Sequence, residues 1–242
     1  MNELLIVVVL GTLPALGNVL GNILAEIIRT RRWFTGVMLH GATGIVIALI
    51  GFDLLPRIID KVPIWHWIAA FLLGAIASVA LSYGIHNFNR SSGERTQAWS
   101  VYAAIGVDLF SDGLMTGAGS AITLKLGALI AGVQLLANIP GGFASATNLR
   151  QRSVSKKTRV VASLALFLGV VLSASAGFFF LRNTSEIFQN TVLAGMMGLL
   201  LLATIEDMLP EADAPRPSRW LSSLAFSTGF VAMALVSHFL PQ

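Results

Sequence analysis

Long apolar runs, each closed by a short polar or proline-containing break, recur along the whole chain. Eight of them approach the roughly 20 residues a helix needs to cross a bilayer. They predict helical spans over about 4–28, 35–58, 64–88, 99–122, 126–148, 158–181, 188–209 and 219–240. The breaks are short, so neighbouring spans are expected to run antiparallel. Most polar residues fall at span ends, but the fourth and fifth spans depart from this. GVDLFSDGLMTGA carries Asp108, Ser111 and Asp112 at mid-depth, and GVQLLANIPGG carries Gln134, Asn138 and the helix-breaking Pro140. A short turn around Thr123 to Lys125 joins the two, and the other spans read as a frame holding this pair.

Composition agrees with the pattern. Hydrophobic residues make up 55% of the 242, charged residues 12%, and mean hydropathy is +0.77. A soluble domain carries about twice that charged fraction. The chain is therefore expected to be an all-α polytopic membrane protein whose partner is the lipid bilayer, with residues 1–242 forming a single domain. The net charge of +4 does not indicate nucleic acid, because it resides in the connecting loops. One set of loops holds twelve basic residues (Arg29, Arg31, Arg32, Arg90, Arg95, Arg150, Arg152, Lys156, Lys157, Arg159, Arg216, Arg219) and the other set only Arg57, Lys61, Lys125 and Arg182. By the positive-inside rule the first set is cytoplasmic and both termini lie outside, as in a plasma membrane or bacterial inner membrane protein. A count of seven spans would break this alternation. With no cysteine, disulfides and thiolate metal sites are excluded. The opening MNELLIVVVLG lacks a basic stretch and carries Glu3, so it is expected to start the first span and not to be a cleaved signal.

Within the frame, Gly17-Asn18 and Gly21-Asn22 are four residues apart. Helical spacing puts the glycines on one face and the asparagines on another, as for close packing with asparagines bonding across the interface, the alternative being a solute contact. Gly169, Ser173 and Gly177 form a similar stripe on the sixth span. Such stripes leave room for a homodimer. Spans two and seven echo each other: glycine, aspartate and proline recur at identical offsets in Gly44, Asp53, Pro56 and in Gly198, Asp207, Pro210. The two spans run in opposite directions, so the echo predicts an inverted repeat of spans one to three against six to eight around spans four and five. Asp53, Glu206 and Asp207 then either mark helix ends in the headgroup region or act as entrance and exit carboxylates, with Gln134 and Ser111 on the path between. His40 reads as a packed, hydrogen-bonded histidine or a ligand. His66, His86, His238 and all five tryptophans (Trp33, Trp65, Trp67, Trp99, Trp220) fall near span ends, as an interfacial belt requires.

Asp108 and Asp112 lie one helical turn apart and share a face. A carboxylate at the bilayer centre costs about 2.5–3.5 kcal/mol even on insertion scales, and no lysine or arginine lies at mid-depth in any span to neutralise the pair. A cation, a proton or a water-filled cavity is needed. Asn138 sits opposite at similar depth, and Pro140 displaces the Leu136 carbonyl from its helical partner. The set Asp108, Asp112 and Asn138 suggests an oxygen-lined cation site.

These residues resemble the ZIP (Zrt-, Irt-like protein) family of divalent metal transporters. The likeness covers the eight spans, the external termini, the LLP ending of span two and the matching ending of span seven. GVDLFSDGLMTGA resembles the family's HNFxDGLAIG-type helix and ANIPGGFASA its HNIPEGLAVA-type helix. The resemblance implies transport of a divalent cation of the zinc, iron or manganese class as substrate, with no permanently bound cofactor. The family's span-four histidine is Asp108 here and its asparagine is Leu109, while its acidic partner is kept as Asp112. In span five the first ligand position is Ala137, Asn138 is kept, and the glutamate after the proline is Gly141. The span-six glutamate falls at about Ala174. A two-metal centre is thus excluded, and at most one all-oxygen site remains, which favours manganese, magnesium or ferrous iron over zinc. The rival expectation is a ZIP-like protein with a degenerate centre that carries another solute or no longer transports. No Ser-His, Cys-His or HExxH constellation marks an enzyme.

Overall fold

Lipid offers no partner to a backbone N–H or C=O, so each crossing segment must close its own hydrogen bonds. The computed structural model describes residues 3–28, 32–90, 94–151 and 155–239, and these contain helices and turns but no strand. Arg29, Arg31 and Arg152 lie outside the described residues, as do the side chains of Arg32, His86, Arg90, Arg95, Trp99, Arg150, Lys156 and Arg159.

The helices follow the apolar runs in order. α1 is Glu3–Ile27. α2 is one rod of three parts: an α-helix Arg32–Leu49, a π-helical turn Ile50–Leu54 and a further α-helix Leu55–Lys61. α3 is Ile64–Arg90, α4 Glu94–Ile122, α5 Leu124–Gln151 and α6 Lys156–Leu181. α7 repeats the build of α2, with Glu186–Ala203, a π-helical turn Thr204–Met208 and Leu209–Asp213. α8 is Arg219–Phe239. Among the described residues seven of these are long and apolar enough to cross a membrane; α4, which carries Asp108 and Asp112, is the exception. The chain is an integral multi-pass membrane protein.

The turns are short and chemically specified. Thr123 alone separates α4 from α5, and its hydroxyl accepts the Leu126 N–H at 3.1 Å. Ser185 caps α7 by accepting the Phe188 N–H. Pro63 lies between α2 and α3, and Arg216, in the turn after α7, takes a left-handed φ of 52°.

Glycines decide which helices pack together. Added Cβ atoms at Gly17 and Gly21 of α1 would strike the backbone of Leu135 and Ile139 on α5, and one at Gly142 of α5 would strike Asn18. Gly113 and Gly117 of α4 lie in the same way against Val170 and Ala174 of α6, and Gly177 of α6 against Leu114. In the other half of the molecule Gly44 of α2 abuts Phe226 of α8, Gly229 abuts Gly41, Gly74 of α3 abuts Gly195 of α7, and Gly198 abuts Phe71. These approaches pair α1 with α5, α4 with α6, α2 with α8 and α3 with α7; Gly11 of α1 against Ala174 of α6 and Gly36 of α2 against Ala212 of α7 join the pairs into two groups, α1–α4–α5–α6 and α2–α3–α7–α8. Among the described residues, an added Cβ at Gly169 of the expected span-six stripe would meet open space. The asparagine pair of α1 also differs from expectation: Asn22 Nδ2 donates to the Asn18 side chain at 2.9 Å, within its own helix, because the glycine contact already holds the interface.

Between the groups the two ends of the membrane differ. Towards the end that carries the chain termini, Leu49, Ile50 and Leu54 of α2 and Leu193 and Met197 of α7 close against Met115, Leu126, Ile130 and Val133 of α4 and α5. Towards the end bearing the basic loops the groups separate around a cavity. α2 and α7 are pinned at both ends, by Lys61 with Glu186 at 3.1 Å and by His40 with Asp213 at 3.2 Å.

Candidate functional site

The cavity encloses about 460 Å³ and reaches from mid-helix Asp112, Gln134 and Asn138 to Glu206, Asp207 and Glu211 near the end of α7. α4 and α5 place their polar groups on it through helical spacing alone. Asp108 and Asp112 are one turn apart on α4; Gln134 and Asn138 are one turn apart on α5; Asp207 and Glu211 repeat the spacing on α7. Five carboxylates therefore line one space, and no lysine, arginine or histidine is among the described residues that line it.

The two aspartates of α4 have different surroundings. Asp112 is buried, and each of its oxygens accepts an amide N–H: Gln134 Nε2 donates to Oδ1 at 2.9 Å and Asn138 Nδ2 to Oδ2 at 2.7 Å. Asn138 Nδ2 also lies 3.3 Å from the Pro14 carbonyl of α1. Gln134 is fixed from behind, since the Thr116 hydroxyl donates to its Oε1 at 2.7 Å, and Ser120 donates to the Thr116 carbonyl at 2.8 Å. Asp108, Asp112, Thr116 and Ser120 thus form one polar stripe down α4. Asp108 itself is exposed and lines the cavity together with Asp207 and Glu211. Ser111 lines a small side pocket of about 40 Å³ between α4 and α7, together with Asp108 and Asp112.

The expected site residues are accordingly divided. Asp108, Asp112, Gln134, Asn138, Glu206 and Asp207 share the cavity, with Ser111 beside it. Asn138 meets Asp112 through its NH₂ group, not through its oxygen. Asp53 lies elsewhere, 1% exposed near the opposite end, and accepts the Ser237 hydroxyl at 2.9 Å. His40 is a packed residue: Nδ1 lies 2.8 Å from the Gly36 carbonyl of its own helix and Nε2 faces Asp213. Among the described residues no three of His, Asp and Glu converge closely enough to hold a metal ion.

Sequence reasoning missed Glu211 and Thr116 as cavity or network residues, and it read Asn18, which lines the cavity, first as a packing residue. The signal was available for the first two, since Glu211 stands one turn from Asp207 and Thr116 one turn from Asp112. Protein-family models and curated proteins compared with the chain gave no match.

Proposed function

We propose that the chain is a ZIP-like transporter that moves a divalent metal cation across the membrane. One observation carries this reading: a mid-membrane cavity lined by Asp108, Asp112, Glu206, Asp207 and Glu211, with no cationic side chain among the described residues that line it. Grouping five carboxylates around one space with no cationic side chain to balance them favours entry of a cation. Asp108 is the central ligand, because the Asp112 oxygens already take the amides of Gln134 and Asn138. All-oxygen donors favour manganese, magnesium or ferrous iron.

An inverted repeat underlies the cavity. It is supported by the matched offsets of Gly44, Asp53 and Pro56 with Gly198, Asp207 and Pro210. The two π-helical turns sit on the same residues of this motif, and π turns concentrate at functional sites. Exchanging spans one to three with six to eight, and four with five, turns the α1–α5 glycine contacts into those of α4–α6. The same exchange turns α2–α8 into α7–α3. Glycine contacts hold each group rigid, so movement takes place between the groups. The basic loops are cytoplasmic, the termini are outside, and the cavity opens to the cytoplasm of a plasma membrane or bacterial inner membrane.

A second reading is favoured by the capping of both Asp112 oxygens and by the lack of three convergent ligands among the described residues: a degenerate relative in which the network only ties α4 to α5. Uptake into proteoliposomes loaded with a metal-sensitive dye separates the two. The wild type should admit manganese, iron, zinc, cadmium or magnesium, and the Asp108→Ala/Asp112→Ala variant should not. A folded, inserted wild type that admits none of these metals overturns the transport reading.

A further inference from the structure

The cavity is larger and more apolar than a metal ion requires. Its volume of about 460 Å³ lies within the roughly 300–1,000 Å³ of small-molecule sites, whose walls are mostly hydrophobic with a few placed polar groups. Its carboxylates stand at two stations. Asp108 and Asp112 occupy mid-helix positions on α4, and Glu206, Asp207 and Glu211 stand at the mouth on α7. Asp207 also accepts the Ser82 hydroxyl of α3 at 3.0 Å. Val46, Leu49, Ile105, Val133, Leu200 and Met208 supply the apolar wall. The small side pocket at Asp108 and Asp112 continues it with Met115, Met196 and Leu199.

An amide at the inner station has an acceptor to spare. Asn138 is 7% exposed and lines the cavity. Its Nδ2 faces two acceptors, the Asp112 carboxylate at 2.7 Å and the Pro14 carbonyl at 3.3 Å, which fixes the amide orientation. Its Oδ1 takes no donor among the described residues and is not sealed from the cavity. An open acceptor suits a ligand that brings N–H donors, as an ammonium group does with three. The acidic groups, by contrast, do not gather as a metal ion requires: among the described residues no three of His, Asp and Glu converge. Negative charge at two stations, with apolar wall beside it, complements positive charge at two ends of a carbon chain.

We infer that the cavity binds an organic dication, an aliphatic diamine with an ammonium group at each end, as a ligand in addition to the metal. One ammonium lies at the inner station, with Asp108 as its counter-charge and Asn138 Oδ1 as an acceptor. The other faces the carboxylates of the mouth, and the methylenes cover the apolar wall. Such a ligand carries the same double charge as a divalent metal and needs no converging donors. It also gains from hydrophobic walls that a hydrated ion does not use. The inference shares the cavity and its charge with the transport reading, and it stands whether or not a metal crosses the membrane.

Calorimetric titration of the full chain in nanodiscs of zwitterionic lipid tests this. The probes are straight-chain diamines from 1,2-diaminoethane to 1,6-diaminohexane, with n-butylamine, 1,4-butanediol and manganese beside them. One diamine should bind per chain, and each added methylene that meets the wall should tighten binding by up to about fourfold. Butylamine, with one charge, should bind at least tenfold more weakly than 1,4-diaminobutane, and butanediol should not bind. Asp108→Asn should weaken 1,4-diaminobutane at least tenfold. Leu200→Asn, which makes one wall residue polar, should flatten the chain-length series; if that variant does not fold, the series on the wild type decides. The inference is overturned if no diamine binds, or if affinity ignores both chain length and Asp108. Manganese binding without diamine binding overturns it and leaves the transport reading in place. Diamine binding without manganese binding or flux upholds it and removes only the metal.

Discussion

Replacing Thr116 by valine tests whether the polar stripe of α4 is a connected network or a row of separate contacts. Thr116 is completely buried and valine keeps its branched shape, so the substitution removes one hydroxyl and little else. The loss falls on Gln134, whose Oε1 gives up a 2.7 Å bond while its Nε2 remains committed to Asp112. A buried acceptor stripped of its donor costs about 1–3 kcal/mol in soluble proteins. Side-chain bonds between membrane helices average about 0.6 and reach about 1.7 kcal/mol. Thr116→Val should therefore cost about 1 kcal/mol, roughly a fivefold rise in the unfolding constant. In a Gln134→Met background there is no orphaned oxygen, and the valine should cost almost nothing. The double-mutant cycle, read by steric-trap unfolding in bicelles, should return a coupling of about 1 kcal/mol. Additive effects within about 0.3 kcal/mol would mean that Thr116 does not hold Gln134 in place, and the account of a pre-set Asp112 would fail.

Glycine substitutions should divide sharply. Gly198→Ala drives a methyl into the Phe71 backbone and should destabilise by about 1–3 kcal/mol, whereas Gly132→Ala meets open space and should stabilise by about 0.5–1 kcal/mol in the same unfolding assay. Equal effects would overturn the grouping of helices by close approach. Manganese should raise the melting temperature of the wild type but not of Asp108→Ala, and an equal rise in both would move the ligand away from Asp108. Cysteines at Lys125 and at Ala214 should react with an impermeant reagent from opposite faces, and reaction from one face would break the eight-span topology. Lys61→Ala removes an exposed pair with Glu186 and should change stability by less than about 1 kcal/mol, with any effect vanishing in high salt.

The helices were legible because a spanning segment must be long and apolar, and each apolar run became one rod. α4 was found from its apolar run over 99–122, although among the described residues it is the one helix not long and apolar enough to count as a span. Helical spacing placed Asp108, Asp112, Gln134 and Asn138 on one cavity correctly. Partner choice was hidden, because the stripe of Gly17 and Gly21 tells that a backbone comes close but not that it belongs to α5. The π-helical turns were hidden too, since the one-residue change of register leaves no mark in composition. Asn138 was expected to offer oxygen and turned its nitrogen to Asp112: a primary amide holds both groups, and only the neighbours decide between them. Which end of the cavity stands open belongs to a conformation, and the same residues would spell either state.

The placement of α3 gives the membrane itself a hold on the mouth. Only 6% of the apolar window of α3 is buried, against 61% for α5. Its contacts with α7 run along one edge, through Gly74, Phe71 and the bond from Ser82 to Asp207. In lipid no hydrophobic force presses such a helix inward, so close packing and the lateral pressure of the acyl chains keep it seated. A thinner bilayer, or a short-chain detergent, tilts or loosens an outer helix before it disturbs the inner ones. Here that helix carries Ser82, so bilayer thickness reaches the mouth carboxylate through a single hydrogen bond.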